Sequence, residues 1–171
     1  GLIQELDLQE HVFARIITFG KALGGHGAAI LGSLQLREYL VNYARSFIYT
    51  TAMPPHTLAT IYSAYTFLGI SNGKEQMKLL KGNISFFKEK LKTYKLDAYF
   101  IESESAIQSC VIQGNKEAKL ISKKLSDSGF GVKAILAPTV PEGEERLRFC
   151  LHSFNTKEEI GFVLQLLKKE L

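Results

Sequence analysis

A lysine within a glycine-rich segment is the first candidate for chemistry in this chain. Lys21 lies in ITFGKALGGHGAAILGS, residues 17–33, three positions after Thr18 and directly after Gly20. A lysine in such a setting can bind phosphate, or it can act as a covalent catalyst once its ammonium is desolvated or placed beside another cation. It can also be a solvated loop charge, as most lysines are. The pattern alone leaves these three interpretations open.

Two nucleotide-binding motifs resemble this segment, and neither is complete. The P-loop requires serine or threonine after its Gly-Lys pair, whereas Lys21 is followed by Ala22. The dinucleotide motif Gly-x-Gly-x-x-Gly requires a third glycine, whereas GHGAAI ends in Ile30. The segment therefore gives little support for nucleotide binding.

An arginine in the middle of an apolar run is the second candidate. The run RLRFCLH, residues 146–152, predicts a strand, and side chains alternate between the two faces of a strand. One face then carries Leu147, Phe149 and Leu151, and the other carries Arg146, Arg148, Cys150 and His152. The guanidinium of Arg148 could hold a carboxylate through two parallel hydrogen bonds. The alternative is an exposed sheet face with an ion pair.

Composition and the remaining reactive residues narrow the class of protein. The chain has 171 residues and a net charge of +4, with basic residues spread along predicted helices, which favours a small anionic substrate over nucleic acid. Cys110 and Cys150 lie in apolar runs and are predicted to be buried free thiols in a reducing compartment. The four histidines lack metal-ligand spacing, so no metal is expected. Without a long apolar window or a signal peptide, we expect a cytoplasmic protein that does not enter membranes.

Local patterns predict the elements that position the two candidates. VFARIITF and GAAILGS are predicted strands around the lysine, and Ser33 is a predicted N-cap. One helix follows over residues 34–47, with an apolar stripe at Leu36, Leu40, Tyr43 and Phe47. A second helix begins at the Pro54–Pro55 pair and ends at Gly69, and ISNGKE is a predicted turn. A third helix has its apolar face at Met77, Leu80, Ile84, Phe87, Leu91 and Tyr94.

The last third of the chain again alternates strands and helices. Strands are predicted in AIQSCVIQ, FGVKAILAP and RLRFCLH, with a helix ending near Gly129 and a loop at TVPEGEE. A terminal helix starts after an N-cap at Asn155 or Thr156. This alternation predicts an α/β fold, with a domain boundary in the long helices.

Three segments in this order, TFGKALGGHGAAILGS, ARSFIYTTAMPP and PTVPEGEERLRF, resemble the α-oxoamine synthases. These are fold type I, aminotransferase-like enzymes that use pyridoxal 5'-phosphate (PLP). The resemblance covers nearly the whole chain. It implies that residues 1–50 are the incomplete end of a large PLP-binding domain, 51–95 are linking helices, and 96–171 are a small C-terminal α/β domain. TTAMPP favours the branch that condenses L-alanine with pimeloyl-CoA to give 8-amino-7-oxononanoate in biotin biosynthesis.

The resemblance also implies a role for each motif residue. Lys21 would bind PLP covalently and act as the catalytic base, and Thr18 would contact the cofactor phosphate. Arg148 would hold the substrate carboxylate. Thr50 and Thr51 would lie near the phosphate of the cofactor bound by the partner subunit, because the family forms homodimers with active sites at the interface.

One departure from the family is large. The first half of the family's chain has no counterpart in this sequence. That half carries an aspartate that pairs with the pyridine nitrogen of PLP and a histidine that stacks on the ring. We therefore expect a C-terminal fragment that is inactive alone. Residues 1 to about 50 should be poorly packed, rearranged or paired with another copy, and the part from Tyr94 onward should be folded best. Asn155 also stands where relatives often carry histidine. Two alternatives remain: a 2-amino-3-ketobutyrate CoA ligase-like reaction of glycine with acetyl-CoA, and a non-catalytic dimerisation module.

Overall fold

The computed structural model describes all 171 residues, and they form two compact units, Gly1–Asn72 and Gly73–Leu171. The first unit contains α1 (Leu2–Glu5), β1 (Ala14–Thr18), β2 (Ala28–Gly32), α2 (Leu34–Tyr43), α3 (Arg45–Ile48) and α4 (Pro55–Gly69). The following elements are α5 (Ser71–Tyr94), a 3-10 helix (Asp97–Tyr99), β3 (Phe100–Ile101), β4 (Ile107–Val111), α6 (Asn115–Asp127), β5 (Lys133–Ile135), β6 (Arg146–Cys150) and α7 (Lys157–Glu170). None of these helices combines the length and the apolar composition that spanning a bilayer requires.

The first unit is built on an antiparallel hairpin of β1 and β2, in which Thr18 is opposite Ala28. Ser33 caps α2 as predicted, since its hydroxyl accepts a hydrogen bond from the Leu36 amide at 3.2 Å. The predicted start and end of α4 are confirmed, because a proline fits the first helical turn, where no amide donor is needed. Among residues 1–50 only Phe19 is a buried side chain, in keeping with the expected poor packing.

The second unit has a four-stranded sheet in the order β3-β4-β6-β5, and every neighbouring pair is antiparallel. Because β4 and β5 both run antiparallel to β6, they are parallel to each other, and β6 lies between them. The connection from β4 to β5 contains α6, so the unit is a split β-α-β arrangement. The predicted combination of helices and strands is confirmed.

One face of this sheet and the apolar faces of α5, α6 and α7 form the hydrophobic core. The Phe87 ring of α5 is fully buried and packs against the rings of Phe100 and Phe149, at centroid distances of 5.6 and 5.7 Å. This confirms the buried face predicted for α5 at Ile84, Phe87 and Leu91, whereas Met77, which was predicted on the same face, is 43% exposed. Thr156 caps α7 through a reciprocal capping box with Glu159, which confirms the second of the two predicted caps.

Three predictions about this architecture were wrong. The ISNGKE segment is not a turn, because α5 begins at Ser71, and weak helix formers are tolerated in a first turn, where amides need no intrahelical partner. The helix predicted over residues 34–47 is interrupted at Ala44, whose ψ of 96° is extended. Cys150 is exposed rather than buried, since it shares the outer face of β6 with Arg148. The short α1, the 3-10 helix and β3 were not predicted.

Candidate functional site

Residues 19–27, here called the lysine loop, connect β1 to β2 and carry Lys21 near their start. The Phe19 amide donates to the Gly27 carbonyl at 2.9 Å, and this bond closes the neck of the loop. The Gly25 amide donates to the Phe19 carbonyl, also at 2.9 Å, so the loop folds back on its first residue. Phe19 is buried whereas Lys21 is exposed. The loop is thus anchored at its neck and presents its lysine to solvent.

The glycines of the lysine loop allow the chain's own side chains to approach it. Gly27 has a φ of +99°, and a Cβ atom added there would lie 2.7 Å from the sulfur of Met53. A Cβ atom at Gly25 would lie 3.3 Å from Cγ1 of Ile61, which is a buried residue of α4. These two glycines therefore serve packing against α4 and the segment before it, and their presence does not require a bound ligand.

Thr18 and Lys21 provide a hydroxyl and a primary amine around the neck of this loop. Both side chains are exposed, and neither makes a hydrogen bond or an ion pair with the rest of the chain. An amine can bond covalently to an aldehyde, and a hydroxyl can donate to a phosphate oxygen. The amine and the hydroxyl therefore fit the aldehyde and the phosphate of PLP.

Thr50 and Thr51 lie in the segment between α3 and α4, and both are exposed. Two residues later Met53 reaches the lysine loop at Gly27. The contact brings this segment alongside the end of the loop that leads into β2. The first unit thus holds four of the five predicted site residues.

Arg148 is the predicted site residue of the second unit, and it occupies the centre of β6 on the exposed face of the sheet. It is opposite Ser109 of β4 on one side and Lys133 of β5 on the other. Arg148 makes no ion pair or hydrogen bond through its side chain. Arg146, two residues earlier, is paired with Glu144 at 3.1 Å. The sequence had left open an exposed sheet face whose arginine is held in an ion pair. That description fits Arg146, which is paired with Glu144, and it does not fit Arg148.

A buried carboxylate that sequence reasoning missed supports the start of this strand. Glu145 is 2% exposed, and its Oε2 accepts hydrogen bonds from the amides of Gly114 at 2.9 Å and Gly143 at 3.0 Å. The bond from Gly114 and the other backbone bonds hold the pKa of the Glu145 carboxyl below its ordinary value. The signal was available, because strand alternation places residue 145 on the same face as the buried Leu147.

Asn83 of α5 fixes the loop that follows β6, and it was also missed. Its side-chain amide donates to the carbonyls of His152 at 3.0 Å and Asn155 at 2.8 Å. The Asn155 side chain accepts in turn from the His152 amide at 2.8 Å. Asn155 thus closes the loop that follows β6. No sequence pattern could reveal Asn83, because its partners are 69 and 72 positions away.

Comparison with known proteins defines the class to which this fold belongs. The family model "Aminotransferase class I and II" matches residues 6–165. The chain therefore belongs to the aminotransferase class I and II family, and the predicted fold type I resemblance is confirmed.

Individual relatives narrow the comparison further. The chain is 39% identical over 168 residues to an 8-amino-7-oxononanoate synthase of Emericella nidulans, covering 96% of this chain and 40% of that protein. A crystal structure of 8-amino-7-oxononanoate synthase from Francisella tularensis matches with a TM-score of 0.78 and 32% identity, over 92% of this chain and 45% of that one. A structure of SPT with PLP matches with a TM-score of 0.85, over 99% of this chain and 42% of that one, but at 23% identity, so it shows the fold alone. The chain spans about two fifths of the length of the curated relatives it matches.

Proposed function

We propose that this chain forms part of the active site of a PLP-dependent C-acyltransferase that condenses L-alanine with pimeloyl-CoA. The products would be 8-amino-7-oxononanoate, CoA and carbon dioxide. The observation that carries the proposal is the 39% identity to an 8-amino-7-oxononanoate synthase over nearly the whole chain. The exposed and unpartnered side chains of Lys21 and Arg148 support it, since each is available for the role that its motif implies.

Lys21 and Thr18 are the residues of this chain that would hold PLP, the lysine covalently and the threonine through the phosphate. When bound, PLP supplies an electron sink for the electron pair left on the α-carbon of the amino acid. The Lys21 amine, once free, takes the proton from that carbon as a general base and becomes an ammonium that can return it. The role requires an amine that reaches its substrate, and the exposed position of Lys21 permits it.

Arg148 would hold the carboxylate of alanine through two N–H groups of its guanidinium, which fixes the orientation of the α-carbon. The lack of an internal partner for Arg148 supports this role, because no ion pair has to be broken before substrate binds. Glu145 would act as a positioning residue, because its backbone hydrogen bonds fix the chain as it enters β6.

The assembly belongs to the same proposal. The enzyme would be a cytoplasmic homodimer, in which Thr50 and Thr51 lie near the phosphate of the cofactor bound by the partner subunit. The first 50 residues would complete a large PLP-binding domain, residues 51–95 would link the domains, and residues 96–171 would form the small domain. The exposed positions of both threonines are compatible with a contact outside this chain.

Reductive labelling tests the assignment of Lys21. The 171-residue chain is mixed with PLP, reduced with borohydride, and digested, and the pyridoxyl label is located by peptide mass. We expect the label to be concentrated at Lys21, absent there in Lys21→Ala, and unchanged in Lys119→Ala, which removes another exposed and unpartnered lysine. A label spread evenly over the exposed lysines would contradict the assignment.

Turnover in the complete enzyme tests the substrates. Alanine with pimeloyl-CoA is compared with glycine and acetyl-CoA, the pair used by the sibling reaction. Faster turnover of the first pair is expected, and Lys21→Ala should abolish it. Faster turnover of the second pair would instead assign the chain to the glycine-dependent reaction.

A further inference from the structure

Two cations without a counter-charge lie side by side on the exposed face of the second unit's sheet. Lys133 of β5 is directly opposite Arg148 of β6, and Ser109 of β4 is opposite Arg148 on its other side. Directly opposite residues of antiparallel strands point to the same face, with Cβ atoms about 4.5–5.5 Å apart. The three side chains therefore form a row across adjacent strands, which we call the cation row.

The cation row is unusual because like charges directly opposite each other destabilise a sheet. Lys133 and Arg148 are both exposed, and neither side chain makes an ion pair or a hydrogen bond with the chain. The neighbouring Arg146 shows the ordinary solution, since it has its own carboxylate from Glu144. The row thus keeps two positive charges together with no carboxylate of this chain paired to either of them.

Apolar side chains lie beside the cation row on the neighbouring strands, while Arg146 and Cys150 lie on either side of Arg148 along β6. Ile101 and Ile107 are 42% and 48% exposed, and their strand positions place them on the side of Ser109. Ile135 is opposite Arg146, on the side of Lys133. An apolar border lowers the local dielectric constant and strengthens the attraction of the row for an anion.

We propose that Lys133 is a second cationic ligand of the carboxylate site centred on Arg148, so that a single substrate carboxylate is bound by both side chains. The inference rests on the proposed function, in which Arg148 binds the carboxylate of alanine. A carboxylate has about four lone-pair positions on two oxygens. A two-pronged guanidinium uses two of them, and an ammonium on a flexible stem can occupy a third.

Carboxylate titration of the 171-residue chain tests this inference. Heteronuclear NMR follows the amides of β5 and β6 as sodium acetate replaces sodium chloride at constant ionic strength, for the parent chain and for Lys133→Met, Arg148→Met and Lys119→Met. We expect saturable shifts confined to the cation row. The Kd for acetate should rise about three- to tenfold in Lys133→Met. Acetate binding should be too weak to measure in Arg148→Met, and the Kd should not change in Lys119→Met.

A stability measurement provides a second readout. Because the substitution removes a repulsion, Lys133→Met should raise the Tm of the second unit in dilute chloride, and acetate should reduce that gain. A Kd within about twofold of the parent value in Lys133→Met would overturn the inference, and so would shifts that are unsaturable and spread over the whole surface. The matched Lys119→Met variant should show neither effect.

These outcomes separate the inference from the proposed function. If Lys21 takes the PLP label and the complete enzyme uses alanine while Lys133→Met binds acetate normally, the function stands and the inference is wrong. If acetate binds through both cations and the complete enzyme rejects alanine, the two-cation site stands and the proposed substrate is wrong. In the complete enzyme, Lys133→Met should raise the KM for alanine more than it lowers kcat.

Discussion

Replacing Asn83 with alanine removes the side chain that fixes the loop between β6 and α7. Asn83 is 8% exposed, and its amide donates to the carbonyls of His152 at 3.0 Å and Asn155 at 2.8 Å. Each such bond contributes about 0.5–1.5 kcal/mol net to folding. The Asn83→Ala variant should therefore lose about 1–3 kcal/mol of unfolding free energy, from two bonds of this strength. Since this loop follows the strand that carries Arg148, the affinity of the proposed carboxylate site should fall as well.

Urea and thermal unfolding followed by circular dichroism measure this loss, and amide hydrogen exchange locates it. For a unit of about 100 residues, each kcal/mol lowers Tm by about 4–8 °C. Thr93→Ala is the matched control, because Thr93 lies on the same helix and also donates to a backbone carbonyl, that of Glu89 at 3.0 Å, but is exposed. Its effect should stay within about 0.5 kcal/mol. Equal effects of the two substitutions would refute the reasoning, and so would faster exchange elsewhere than in residues 151–156.

Three further predictions concern the lysine loop, the buried carboxylate and the thiols. Gly27→Ala should speed amide exchange in the lysine loop, because a positive φ costs alanine about 1–2 kcal/mol and the new Cβ would clash with Met53. Adding Met53→Ala should remove the clash but not the backbone strain. Full recovery of the slow exchange in the double variant would contradict the strain argument. Backbone hydrogen bonds, first that from Gly114, hold the folded-state pKa of Glu145 below its unfolded-state value. Its carboxylate therefore stabilises the fold above the unfolded-state pKa, and this contribution disappears as pH falls through the folded-state pKa. Glu145→Gln should accordingly flatten the acid side of the stability–pH profile, and an unchanged profile would count against this role. Burial raises the pKa of Cys110 to about 12, whereas Cys150 is exposed. A thiol reagent at neutral pH should therefore modify only Cys150 until the chain is unfolded. Modification of both thiols in the native protein would contradict this prediction.

Local physical chemistry made several parts of this fold predictable. A run rich in β-branched residues predicted β1, since such residues suit a pleated, half-buried surface, and the alternation of apolar and polar residues predicted β6. Proline set the start of α4, and Thr156 set the start of α7, because both act within a single turn of helix. Strand alternation placed Arg148 on the exposed face, and the same alternation would have shown Glu145 to be buried and Cys150 to be exposed.

The sequence also determined which residues are candidates for chemistry. Lys21 and Arg148 were selected by residue type, local spacing and motif, and these are properties of neighbouring residues along the chain. The packing role of Gly25 and Gly27 could not be inferred in this way. Their contacts with Ile61 and Met53 span 36 and 26 positions, and a glycine-rich segment is equally typical of a ligand cradle.

Tertiary structure alone decided the surroundings of the candidate residues. The register of β5 against β6 places Lys133 opposite Arg148, and a shift of one residue would turn Lys133 to the buried face. Asn83 reaches the loop after β6 from a helix about 70 positions earlier. Contacts of this kind depend on how separate elements pack, and propensity and periodicity carry no information about that packing. The sequence by itself therefore determined the reactive groups, whereas the tertiary structure decided which charges stand beside them.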